Sequence, residues 1–220
     1  MRAVKTILAL SLILLPHLIG ENSAMAIEEP KFEKVGEFEA FELRKYAPFI
    51  IAETSVTEDF DEAGNRAFKR LGGYIFGNNA RSDKLEMTTP VTTEPAGVDN
   101  GKNRWRISFV MPSKFSMQAL PLPNDATVTH RQIDEQVVAA HRFSGTWNEE
   151  RFKEKGQELL AAVRAQGLDP KPDTLRYARY NAPWTPWFLR RNEVLVDINI
   201  KPVLSAPKPQ APAPDSKPRQ

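Results

Sequence analysis

The 220-residue chain contains no cysteine. Disulfides, thiolate ligation of a metal, a lipid-modified cysteine anchor and cysteine nucleophilic catalysis are therefore all excluded. Histidine is also scarce: of three, His17 falls in an N-terminal apolar run, which leaves His130 and His141 near opposite ends of one strand-like stretch. There is no HExxH motif, no GxSxG motif and no P-loop. The carboxylates are scattered, and Ser108, Ser113 and Ser116 have no evident activating partner. Neither catalytic residues nor a metal site are expected, and the protein reads as a non-enzyme.

An excess of charge of one sign is missing as well. The formal net charge is +2, and the termini supply the bias. Arg2 and Lys5 precede the run TILALSLILLPHLIG, and Ala24-Met25-Ala26 follows with small residues where a signal peptidase reads, so residues 1–26 are expected to be a cleaved signal peptide. KPVLSAPKPQAPAPDSKPRQ (201–220) is rich in proline and alanine, cannot bury a core, and reads as a disordered, partly extended tail. Removing two basic and one acidic residue with the signal, and four basic and one acidic with the tail, leaves 24 basic against 26 acidic residues. That near-neutral body gives no case for nucleic-acid binding. No later run approaches membrane-spanning length, so no stable membrane insertion is expected after signal removal. A periplasmic setting fits best.

The body, residues 27–200, repeats a pattern rather than an identity. FELRKYAPFIIAETSV (41–56) alternates as a strand; a helix follows from about Asp59 to Phe76, closed by Gly77; KLEMTTPVTTEP and RWRISFVMP are two more strands. The order then recurs: VTHRQIDEQVVAAHRFSG as a strand, NEERFKEKGQELLAAVRAQG as a helix ending at Gly167, then TLRYARYNAP and NEVLVDINI as strands. Two β-α-β-β units of this size predict one α+β domain, an antiparallel sheet with two helices and internal pseudo-symmetry.

The first helix has a core stripe of Phe60, Ala63, Ala67, Leu71, Tyr74 and Ile75. Beside it Gly64, Phe68, Gly72 and Phe76 follow at four-residue steps. Each glycine costs the helix about 0.8–1 kcal/mol relative to alanine. Two explanations stay open: the glycines let the helix sit close on its sheet, or they floor a shallow groove for a flat apolar ligand. Arg66, Lys69 and Arg70 read as solvated charge.

AGNRAFKRLGGYIFG, KLEMTTPVT, SFVMPS, PLPND, RFSG and YNAPWTPWFLRRNEVLV occur in an order that resembles the SOUL haem-binding protein family, from about Glu39 to Asp197. The resemblance implies a distorted antiparallel barrel or half-barrel with two helices. It also implies reversible binding of haem or another tetrapyrrole in a hydrophobic cleft, generally without a strong axial protein ligand. Carried over by position, its helix residues fall on Asn65, Phe68 and Gly72 and its strand residues on Trp105 and Ala178. The family's helix arginine is replaced by Asn65, with Arg66 adjacent, and its basic loop residue falls on Pro186. Arg190 and Arg191 then become candidate propionate partners, with at least one expected to be structural. His141, Met87, Met111, Tyr74 and Tyr180 are conceivable but unsupported iron ligands. The WTPW aromatics and prolines are expected to close the domain by packing, with the ligand surface on the first helix. Two other readings remain: a binding module for a different amphiphile, by fold-level analogy to gyrase-inhibitor-type effector-binding domains, and an envelope interaction module using the tail.

Overall fold

Two stretches that alternate as single strands fold as bent pairs of strands. The computed structural model describes residues 27–199, so the expected signal segment and proline-rich tail lie outside it. Residues 41–56 divide into β2 (Glu42–Tyr46) and β3 (Phe49–Thr57), and the second stretch divides into β6 (Thr129–Ile133) and β7 (Gln136–Phe143). Pro48 fixes its own φ and offers no N–H to a ladder, while Asp134-Glu135 places two charged residues where the second chain turns. The two bends are neighbours: Tyr46 stands opposite Gln136, and Phe49 opposite Ile133.

The remaining elements are β1 (Phe32–Glu37), α1 (Phe60–Ile75), β4 (Val91–Asp99), β5 (Lys102–Val110), α2 (Glu149–Ala165), β8 (Arg176–Arg179) and β9 (Asn192–Asp197). They form one antiparallel sheet of order β1-β2-β7-β9-β8-β4-β5-β3-β6, curled into a half-barrel. Apart from β1, which the sequence pattern missed, the order reads the same from either end once β2, β3, β4 and β5 are matched to β6, β7, β8 and β9. The expected pseudo-symmetry is present with one addition: β2 pairs with β7, and β6 pairs with β3. Each half gives an arm to the other.

Both helices lie on one face, α1 over β3 and β5, α2 over β7 and β9. The predicted stripe of α1 is buried throughout, and Gly77 (φ 114°) and Gly167 (φ 72°) take the left-handed conformation just past the two helix ends. The Asn148 side chain accepts the Arg151 amide at 2.7 Å and caps α2. Phe60 joins the halves, with ring centroids 5.1 Å from Trp105 and 5.8 Å from Phe152, which stacks on Tyr177 at 4.9 Å. One core therefore serves both repeats. A smaller cluster of Tyr46, Val138, Ala140, Ala178, Tyr180 and Leu195 covers part of the other sheet face.

Candidate functional site

Beside the α1 stripe lies a cleft of about 600 Å³. Asp61, Gly64, Asn65 and Phe68 of α1 form one wall; Val91, Ile107 and Phe109 of β4 and β5 form the floor. Thr146 and Trp147, after β7, and Arg179, Asn181, Pro183 and Arg190, from β8 and the segment before β9, complete it. The volume falls in the ~300–1,000 Å³ range of small-molecule pockets.

Phe68 is 44 % exposed and leans on Phe109 with ring centroids 5.6 Å apart. Across the cleft the Trp147 indole carries a guanidinium at each of two contacts, Arg190 at 4.2 Å and Arg179 at 5.2 Å from the ring centre. Its Nε1 donates to Asn192 Oδ1 at 2.8 Å, which fixes the ring. Arg190 donates to the Thr185 and Pro183 carbonyls at 2.8 and 2.7 Å. Arg179 is partly buried and donates to Thr93 Oγ1 at 3.3 Å; among the described residues it has no salt bridge. Burial pushes its pKa down to about 10, and the field of Asp61 opposes that push. A desolvated cation without a paired carboxylate favours an incoming anion.

The cleft brings together Asn65, Phe68 and Arg190 of the residues expected from sequence. The others lie elsewhere. Arg66 pairs with Glu58 at 2.9 Å. Gly72 is covered by its own helix's Phe68 and Phe76, whose rings stand 3.5 and 3.8 Å from where a Cβ would be, so the groove imagined there is closed. A Cβ on Gly64 would meet Arg179 at 3.5 Å and one on Gly73 would meet Asn78 at 3.9 Å, so these glycines do not serve close helix–sheet approach. Trp105 is buried in the core against Phe60, and Ala178 is buried on the opposite sheet face. Strand parity explains the second case: Tyr177 and Arg179 share the helix side of β8, and Ala178 between them does not. The same parity in RYARY is the signal that would have found Arg179.

Arg191 belongs to a buried knot. It sits 3.6 Å over the Tyr180 ring and pairs with Glu29 at 2.8 Å and Glu193 at 3.0 Å. Glu193 also accepts from Tyr180 Oη at 2.7 Å and from Arg44. The conceivable iron ligands are engaged or placed elsewhere: Tyr74 donates to the Pro121 carbonyl, His141 contacts the Ala40 carbonyl through Nδ1, and Met111 is buried. No histidine, methionine or tyrosine is among the described cleft residues. Nor does any group of three or more His, Asp or Glu among the described residues stand where it could hold a metal ion.

The WTPW expectation is overturned. Trp184 is 86 % exposed, and Trp187, Phe188 and Leu189 are 57, 58 and 65 % exposed. A short 3-10 turn spans Trp187–Leu189, and the loop is tied to the domain by the Gly145 N–H donating to the Trp187 carbonyl and by Arg190 over the Trp147 ring rather than by its aromatics. A second cavity, on the sheet face away from the helices, has walls whose charges are already matched, Arg106 with Glu94 at 3.0 Å and Arg176 with Asp197 at 2.8 Å.

The family profile described as "SOUL heme-binding protein" matches residues 27–197. The chain is 28 % identical to human "Heme-binding protein 2" over 192 residues, covering 81 % of this chain and 93 % of that one. It is 29 % identical to "Heme-binding protein 1" of Xenopus tropicalis over 160 residues, covering 70 and 82 %. An uncharacterized conserved protein from Listeria innocua has the same fold, with a TM-score of 0.55 at 12 % identity, over 72 % of this chain and 92 % of that one.

Proposed function

Because the chain belongs to the SOUL heme-binding protein family, we propose that it binds haem or a related tetrapyrrole reversibly, without acting on it, in the cleft beside α1. The observation that carries this reading is a pairing of opposites in one place. An apolar wall, Phe68 on Phe109, faces two arginines that flank Trp147. A flat apolar ring would lie against Phe68 and the β4–β5 floor, with its carboxylates toward Arg179 and Arg190. Arginine suits carboxylates because its planar fork can meet both oxygens. Burying some 200–300 Å² of apolar ligand surface at ~25 cal/mol per Å² provides about 5–8 kcal/mol before association costs, enough for binding without an axial ligand. A bound haem would supply a redox-active iron; this reading asks of the protein only that it hold, orient and shield the ring.

The cleft residues favour the acid over the metal, so iron-free porphyrin belongs to the same ligand class, and another apolar carboxylate is the second reading. The expected export places this binding in the periplasm.

The test is a titration of residues 27–220 with haemin and with protoporphyrin, followed by the Soret band and by tryptophan quenching. Saturable binding of both, with Phe68→Glu abolishing it while thermal unfolding is unchanged, is the expected result. Absence of any saturable change with either compound would remove the reading.

A further inference from the structure

The loop between β8 and β9 holds its large apolar side chains in water on a braced backbone. Thr185 N donates to the Ala182 carbonyl at 3.0 Å, Leu189 N to Pro186 at 2.9 Å, and Gly145 N to Trp187 at 3.1 Å. Arg190 ties the Thr185 and Pro183 carbonyls from behind. Pro183 and Pro186 restrict what freedom is left. The cleft is lined from this loop by Asn181, Pro183 and Arg190, and not by Trp184, Trp187, Phe188 or Leu189. Those four are exposed to solvent, the Trp187 and Phe188 rings packed edge to face at 5.6 Å.

From this we infer that residues 184–189 form a docking tip for the interfacial region of a phospholipid bilayer. The chemistry of the tip selects that partner. Residues 181–189 carry no ionisable side chain, and the Arg190 guanidinium that follows lines the cleft against Trp147 rather than the tip, so residues 184–189 meet headgroups without a charge of their own to desolvate. Tryptophan is the side chain that bilayer interfaces collect, its apolar body lodged at the acyl boundary and its N–H left among the headgroups. The area argues against a protein partner. The four side chains present on the order of 500 Å², short of the ~800 Å² per partner that a stable protein interface buries. A small, braced, uncharged aromatic tip is instead sufficient for shallow and reversible lipid contact. Such contact is peripheral and requires no spanning segment; among the described residues no helix is long and apolar enough to cross a membrane. Docking by the tip brings the cleft, which shares this loop, close to the lipid surface, where apolar acids accumulate. The tip docks in the same way whatever the cleft takes.

The experiment is co-flotation of residues 27–220, free of ligand, with phosphatidylcholine vesicles, and separately with vesicles containing a fraction of phosphatidylglycerol. Tryptophan emission is recorded alongside. The expected result is comparable flotation with both vesicle types, little dependence on salt, and a blue shift of the emission. In a Trp184→Ser/Trp187→Ser/Phe188→Ser variant, lipid partition should fall by about thirty-fold or more. Its thermal unfolding should match the parent, since these side chains are exposed. No flotation at millimolar lipid, or equal flotation of the variant, would overturn the inference. So would a concentration-dependent dimer that the triple substitution dissolves, which would make the tip a contact between two copies.

Discussion

The Arg44 guanidinium meets the fully buried Glu193 carboxylate on both oxygens, at 2.7 and 3.1 Å. The two residues are 149 positions apart, on β2 and β9, the strands on either side of β7. Around Glu193 the remaining acceptor capacity goes to Tyr180 and Arg191. This makes the RRNE signature a structural tie between the last strand, the loop before it and the arm donated by the first half.

Removing one partner should be costly because it strands the other's charge. Glu193→Leu is expected to lose about 3–5 kcal/mol in urea unfolding, and Arg44→Met/Glu193→Leu to recover part of that loss. A double variant that loses the sum of what Arg44→Met and Glu193→Leu each lose alone would show that the pair is not energetically coupled.

The same pair sets an acid limit. Burial raises the Glu193 pKa, but the Arg44 hydrogen bonds and charge, with Arg191 and Tyr180, outweigh it and hold the carboxyl below its usual value. A folded pKa below the unfolded one contributes stability that is fully present above the unfolded value, ~4.3, and is lost as pH falls through the folded one. Unfolding free energy measured from pH 7 downward should gain a component that declines below about pH 4.3. That component should be absent in Arg44→Met/Glu193→Leu.

Arg179 should trade stability against recognition. Its charge is desolvated beside Thr93 with no salt bridge among the described residues, so Arg179→Met is expected to raise stability by about 1 kcal/mol. The same change should weaken porphyrin binding about ten-fold or more, with Arg179→Lys restoring it only in part because a point charge cannot replace the fork. A variant that is more stable and binds as well as the parent would show that the ligand's acid goes elsewhere.

Gly64 offers a graded probe of the cleft. A Cβ there makes only ordinary contact with Arg179, so Gly64→Ala should gain up to about 1 kcal/mol of helix stability and leave binding within a few-fold. Gly64→Leu should keep the fold and exclude the ligand. Thermal melts and haemin titration of both variants separate these effects.

The helix boundaries were legible because amphipathic spacing and a left-handed glycine are local signals: Asp59 to Phe76 was expected and Phe60–Ile75 is found. The bent strand pairs were not, because FELRKYAPFIIAETSV alternates smoothly across Pro48, and only pairing partners distant in sequence decide where each arm goes. In the cleft, Phe68 was visible as an aromatic out of step with the core stripe. Arg179 was not, because a strand arginine next to tyrosines looks like ordinary surface until its parity places it on the helix side. The WTPW expectation failed for a related reason: aromatic composition does not say whether a loop packs inward, and here backbone hydrogen bonds suffice to hold it.

The exchanged arms have a consequence for how the chain can be divided. A polypeptide ending before β6 would keep α1 and its three strands but leave β2 without β7 and β3 without its outer neighbour. The vacancies on one such fragment match the arms on another, so two identical half-chains could satisfy each other about the axis that now relates the repeats. In topological terms the protein is a homodimer written as a monomer, and the segment joining β5 to β6 is the tether that removed concentration from its folding.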